Sequence, residues 1–169
     1  IKALESGLKG ISGTGAKEQK ITLAQKRAQN YQNMTWATRK RPFVDRMASA
    51  WLIKKFIDKN AVFRFIDEKD IDSLGKGAIA FDIRGGEFTH IGEMCTFEVL
   101  VKSFNLKDKT LRKTAEIVHE LDIKDGKYSN AEAKGIECLL SGIRKTAKTD
   151  AEALEKGMEV FEMLYASKI

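Results

Sequence analysis

The sequence predicts an α+β fold: a mainly helical single domain with a small three-stranded sheet. Three observations predict it. From Thr96 onward, apolar side chains recur at helical spacing. Between residues 61 and 91 the chain instead shows short β-branched and aromatic runs broken by glycine. A content of 43% apolar residues in a chain of 169 is enough for one well-buried core and leaves too little chain for two. There is one proline, Pro42, and no run of about 20 apolar residues. A soluble chain without a membrane span is therefore expected.

Residues 1–34 read as a basic leader or linker. Residues 1–16 hold four glycines and few large apolar groups, which predicts a mobile segment. Residues 16–34 contain good helix formers, but the apolar stripe (Ile21, Leu23 or Ala24, Ala28, Tyr31) is thin, so a polar helix or linker is expected. Residues 1–41 carry nine Lys/Arg against Glu5 and Glu18, a net of +7 in a chain of +6, so the remaining 128 residues sum to −1. A basic stretch of this kind can touch nucleic-acid phosphate or an anionic membrane surface weakly and without sequence preference, although a solvated tail or linker helix is the simpler account. The near-neutral body, residues 35–169, is read as the domain.

Within that body, residues 43–58 predict an amphipathic helix, with Pro42 suited to its first turn. Residues 61–67 and 78–83 predict strands, and in the second Ile79, Phe81 and Ile83 share one face. Gly85-Gly86 then predicts a tight turn into a returning strand at 87–91. Thr96 is suited to cap a helix running to Phe104, and residues 108–123 continue with Leu111, Ala115, Val118 and Leu121 on one side. Two capping boxes, Ser129 with Glu132 and Thr149 with Glu152, predict the last two helices. Their apolar faces are Ile136, Leu139, Leu140 and Ile143, then Leu154, Met158, Phe161 and Tyr165. The two cysteines, Cys95 and Cys138, lack metal or disulfide spacing and suit a reducing cytoplasm. No signal peptide is visible from Ile1, although a processed exported protein would look the same.

Charged residues on predicted apolar faces point to a site. At 100° per residue, Asp45 lies near Leu52 and Phe56, and Arg46 lies in line with Ile53 and Ile57, while Lys54, Lys55 and Asp58 fall on the polar side. A structural Asp–Arg network at the helix start is one reading. The other is that Arg46, with Arg39 and Arg41, gathers guanidiniums at a helix N-terminus, a donor set that matches a tetrahedral oxyanion. On the 108–123 helix, Asp122 falls on the apolar side and His119 at its edge. His90 and Glu98 bracket the junction into the helix at Thr96. His90, Glu98, His119 and Asp122 therefore form a candidate site for a divalent ion, with zinc, iron and manganese suited to imidazole and carboxylate. Cys95 is an additional soft donor. The rival expectation is an Arg46–Asp122 pair without metal.

Four stretches, "TWATRKRPFVDRMASAWLIKKFIDKNAVFRFI", "FTHIGEMCTFEVLVKSFNL", "LRKTAEIVHELDI" and "GMEVFEMLYA", together resemble the chromate resistance protein family, in the C-terminal domain of the ChrB type, also called chromate resistance exported protein. The resemblance runs from about Trp36 to Ala166 and is most specific in the first stretch. It implies the sensing or regulatory part of a two-domain protein, or a separate accessory chain, sometimes joined to a rhodanese-like domain. Carried over by position, it singles out Arg39, Arg41, Asp45, Arg46, His90, Cys95, Glu98 and Asp122. The chain departs from the family pattern at Ser49 and Ala50, where Cys and Pro are usual, so thiol chemistry on that helix is not expected here. The stretch before Trp36 is also too short for a winged helix, so a complete repressor is not expected. Three functions fit: an oxyanion-binding sensing domain, a metal-dependent enzyme with redox chemistry among its options, and a structural interaction module. Arg39, Arg41, Asp45, Arg46 and His90 are the expected oxyanion contacts.

Overall fold

The computed structural model describes residues 22–169. The mobile segment expected over residues 1–16 and the stripe residue Ile21 lie outside the described residues. Helices dominate, around a three-stranded parallel sheet. The elements are β1 (Thr35–Arg39), α1 (Val44–Leu52), β2 (Val62–Ile66), β3 (Ala78–Ala80), α2 (Thr96–Ser103), α3 (Lys109–Asp122), α4 (Ala133–Thr146) and α5 (Asp150–Ala166). The α+β prediction, mainly helical with three strands, therefore describes the domain.

The sheet order is β2-β1-β3, with Thr35 opposite both Val62 and Ala78. Having neighbours on both edges, β1 buries Trp36, Ala37 and Thr38 in succession instead of alternating with solvent. That is why residues 35–39 give no strand signal. The strand expected at 87–91 is absent. Asp82 enters the left-handed region (φ 46°) and ends β3's path, and the chain folds tightly through Gly86, where a Cβ would meet the carbonyl oxygens of Ile83 at 2.9 Å and Ala80 at 3.0 Å. Phe88 then makes only a bridge to Phe81.

The sheet separates two apolar clusters. Trp36, Ile79 and Phe81 join the large core built with the helices, whereas Ala37, Ile66, Ala80 and Ile83 form a smaller one under Ile71 and Leu74. Helix α1 is the central element: all nine of its residues are buried, and it packs on α2, α3 and α5. At the α5 contact, Gly157 lies so close to Met47 that a Cβ would come within 2.5 Å of its side chain.

Several local expectations are corrected. Residues 53–57 widen into a π-helical turn, closed by the Asp58 N–H to the Ile53 carbonyl at 2.8 Å. The extra residue rotates the chain beyond it, so Asp58 leaves the polar side and is fully buried, accepting from Trp36 Nε1 at 3.0 Å and from the Met34 N–H at 2.9 Å. Within residues 22–34 the polar helix does not form; only Ala28–Tyr31 makes a short 3-10 turn. Tyr31 is buried there, edge-on to Phe88 and Phe104, with its hydroxyl donating to Glu87 at 2.6 Å. The Ser129–Glu132 box is not made; α4 starts later, and Glu132 pairs with Lys168. Leu139 points outward at 60% exposure. Of the Thr149–Glu152 box one half forms: the Glu152 N–H donates to Thr149 Oγ1 at 3.1 Å, while the Glu152 carboxylate accepts from the Lys148 N–H at 2.8 Å.

Candidate functional site

The site lies where the C-terminal end of β1 turns into α1. Arg41 adopts a left-handed conformation (φ 57°), an uncommon state for a non-glycine residue. The carbonyls of Lys40 and Arg41 both accept from one terminal nitrogen of Arg46, each at 3.2 Å. Arg46 itself sits in the first turn of α1 and is only 7% exposed. Its other terminal nitrogen pairs with Asp82 Oδ2 at 3.1 Å, and its buried Nε has no partner among the described residues. Burial lowers the Arg46 pKa, with Asp82 pulling the other way.

Asp82 is the second left-handed residue of the site. Its backbone carbonyl accepts from Arg39 Nε at 3.2 Å, and Oδ1 accepts from the Thr96 hydroxyl at 3.1 Å. Arg39 also reaches Glu68 at 3.5 Å on the open side. Burial, then the Asp45 charge, push the Asp82 carboxyl up to about 6, against the pull of both arginines.

Asp45 joins α1 to α2. Its Oδ2 accepts from the Thr96 N–H at 2.8 Å and its Oδ1 from the Phe97 N–H at 2.9 Å, so the N-terminus of α2 is capped by a side chain 51 residues away in sequence. Ser49 Oγ adds a bond at 3.2 Å. A negative charge against free N–H groups at a helix start is the favourable sign. Thr96, expected to be the cap, is instead the first helical residue and turns its hydroxyl to Asp82.

His90 closes the cluster from the loop before α2. Its Nε2 lies 3.0 Å from Asp45 Oδ2, 3.2 Å from Asp122 Oδ2 and 3.7 Å from Asp82 Oδ1. The hydrogen bonds to Asp122 and then Asp45 raise its pKa to about 10. A cavity of about 430 Å³ opens over these groups. Arg39, Arg41, Asp45, Arg46, His90 and Asp122 all line it, as do Asp82 and Arg144.

The four residues expected to share one ion fall into two groups. His90 and Asp122 meet in the cavity together with Asp45. His119 is fully buried elsewhere: Nδ1 lies 2.8 Å from Glu98 Oε2 and Nε2 lies 3.0 Å from Asp125 Oδ2, with the ring edge-on to Tyr128. Both nitrogens of that ring are engaged by different carboxylates, and Glu98 Oε2 also accepts from the Cys95 N–H at 3.0 Å. Although His119 and Asp122 are three apart on α3, Asp122 stands at the helix end and turns to His90. Among the described residues, the His/Cys/Asp/Glu group whose ligand atoms converge within 4.8 Å is Asp45, His90 and Asp122. Cys95 is buried, its thiol pKa pushed up by burial, and takes no place in that group. Arg46 pairs with Asp82, not with Asp122.

Asp82 and Asp125 were missed by sequence reasoning. For Asp82 the expected alternation fails: the shared face of Ile79 and Phe81 does not extend to Ile83, because the left-handed turn at Asp82 ends the period and carries Ile83 to the smaller cluster beside Ala80. For Asp125, beyond the end of α3, no periodicity was available.

Residues 36–168 match the family model described as "ChrB, C-terminal domain". Over 136 residues the chain is 41% identical to "Protein ChrB" of Cupriavidus metallidurans, a match covering 80% of this chain and 41% of that protein. The chain thus spans about two fifths of the length of that curated relative. No solved structure matches it. Among the described residues no helix is long and apolar enough to cross a membrane.

Proposed function

Because this chain belongs to the chromate resistance protein family of the ChrB type, through its C-terminal domain, we propose that it serves chromate resistance by binding a tetrahedral oxyanion of the chromate or sulfate kind. One observation carries the reading: a single cavity at the start of α1 is lined by four arginines, Arg39, Arg41, Arg46 and, from α4, Arg144. Two of them are held. Arg46 is fixed by Asp82 and two carbonyls, and Arg39 by Asp82 and Glu68. The other two have no carboxylate partner among the described residues; Arg41 is exposed, and Arg144 rests over the Phe43 ring at 4.7 Å. Fixed forks set the geometry of the floor, and unpaired forks at the mouth supply donors that an oxyanion can take. His90, an expected oxyanion contact, lines the same cavity.

The anion's effect would pass to the rest of a longer protein, an upstream regulatory or rhodanese-like domain, because the relative is more than twice the length of the matched region. The test is calorimetric titration with chromate and with sulfate. Arg46→Lys keeps a charge but loses the fork, and is expected to stay folded while binding the anion at least about tenfold more weakly. Equal affinity in wild type and variant overturns the role assigned to Arg46.

A further inference from the structure

Asp45, His90 and Asp122 come from three separate elements, α1, the loop before α2 and the end of α3, yet their ligand atoms all lie within 4.8 Å of one another in the cavity. His90 Nε2 stands 3.0 Å from Asp45 Oδ2 and 3.2 Å from Asp122 Oδ2. A metal with bonds of about 2.0–2.2 Å separates neighbouring donors by about 2.8–3.1 Å at right angles and about 3.3–3.6 Å at tetrahedral angles. The 3.0 Å separation lies in the right-angle range and the 3.2 Å one between the two ranges, with all three ligand atoms within 4.8 Å of one another.

The proton count favours a cation as well. One imidazole nitrogen carries at most one hydrogen, so Nε2 can donate to Asp45 or to Asp122 at full strength, but not to both. Asp122 has no other hydrogen-bond or ion-pair partner among the described residues. The third acid, Asp82, stands 3.7 Å from the same nitrogen. Three carboxylates around one imidazole set negative charge beside the arginines of the cavity, and a bound cation would offset it. The unpartnered Nε–H of the buried Arg46, which lines the same cavity, is a donor that calls for an acceptor beside such a cation, such as an anion or a water, and is no ligand to it.

We propose that Asp45, His90 and Asp122 hold a divalent cation, with its open coordination positions toward the arginine-lined cavity. The oxygen-rich set with a single imidazole suits manganese, ferrous iron or zinc, and contains no thiolate that would select a soft ion. The backbone N–H groups of Thr96 and Phe97 and the hydroxyl of Ser49 already orient the Asp45 carboxylate, as the outer partners of a metal ligand do. Where the oxyanion is concerned this deepens the reading above, since the cation offsets the negative charge beside the arginines; the metal site itself does not depend on that reading.

The experiment titrates the chelator-stripped full chain with manganese chloride and, separately, zinc chloride, with no oxyanion present. One equivalent is expected per chain, with affinity falling at least about tenfold in Asp122→Asn and in His90→Gln and unchanged in Asp125→Asn. Asp122→Asn removes a side chain with one partner, so circular dichroism is expected to show it folded; His90→Gln provides a second, independent ligand loss. Absence of a stoichiometric site for either ion, or equal affinity in wild type and both ligand variants, overturns the proposal. Sulfate titration of the stripped and the loaded chain then separates the two readings. Sulfate bound equally by both forms, with no metal site found, removes the metal and leaves the oxyanion; metal bound with sulfate bound by neither form supports the metal and removes the oxyanion.

Discussion

His119 has no exposed surface and no free ring nitrogen, because Glu98 takes one side and Asp125 the other. Burial alone would lower its pKa, but the two carboxylate hydrogen bonds outweigh it and the net shift is upward. A raised folded value means that the charged pair stabilises the fold fully below the unfolded histidine value of about 6.5, and that this contribution is lost as pH rises through the folded value. The groups facing the ring are Glu98, Asp125 and the Tyr128 ring. The melting-temperature gap between wild type and His119→Gln is therefore expected to be largest below the unfolded value of about 6.5 and to shrink as pH rises through the raised folded value. A gap independent of pH would show that His119 stabilises by packing alone. At this scale the sequence was informative wherever a regular helix held. Asp45 and Arg46 were legible as inward charges because α1 is α-helical through Leu52. Asp58 was not, because the π turn breaks the 100° projection just before it. Asp82 escaped because its partners come from α1, β1 and α2, none of them its neighbours in sequence.

The elements pack through a contact that a single methyl group tests. Gly157 of α5 sits against Met47 of α1, and a Cβ would fall 2.5 Å from the methionine Cγ and Sδ. Met47 is fully buried, so it can give way only by displacing core neighbours. Gly157→Ala would gain helix propensity on an exposed surface, but here it is expected to destabilise by about 1–3 kcal/mol in chemical denaturation. A neutral or stabilising result would show that Met47 repacks freely. Which segments become helices was readable from apolar spacing and from caps such as Thr149. The sheet was less readable: its central strand is too short and too fully buried to alternate, and Gly85-Gly86, which suggests a hairpin, serves a turn held by backbone contacts around Ile83.

On the scale of the whole molecule, the segment before β1 is tied to the body at several points. The Lys26 N–H donates to the Ser103 carbonyl at 2.7 Å, Lys26 pairs with Glu87, and Tyr31 fills a slot beside Phe88 and Phe104. Removing residues 1–21 is therefore expected to leave the melting temperature within a few degrees of wild type, whereas removing residues 1–31 should lower it by about 5 °C or more, through the loss of a buried aromatic. Thermal melts of the two truncations decide it; equal melting temperatures would show that Tyr31 contributes nothing to the fold.

The cap that Asp45 places on α2 couples two quantities that are usually separate. One carboxylate secures the first turn of a helix and, through the same Oδ2, faces His90 in the cavity. Whatever occupies that cavity changes the charge felt by the N-terminus of α2, and α2 packs directly on α1 and α3. By thermodynamic reciprocity, an occupant that tightens this cap is itself bound more tightly when α2 is well formed. Helix α2 can therefore act as a gauge: its amide exchange rates would register occupancy of the cavity without any part of the ligand touching it.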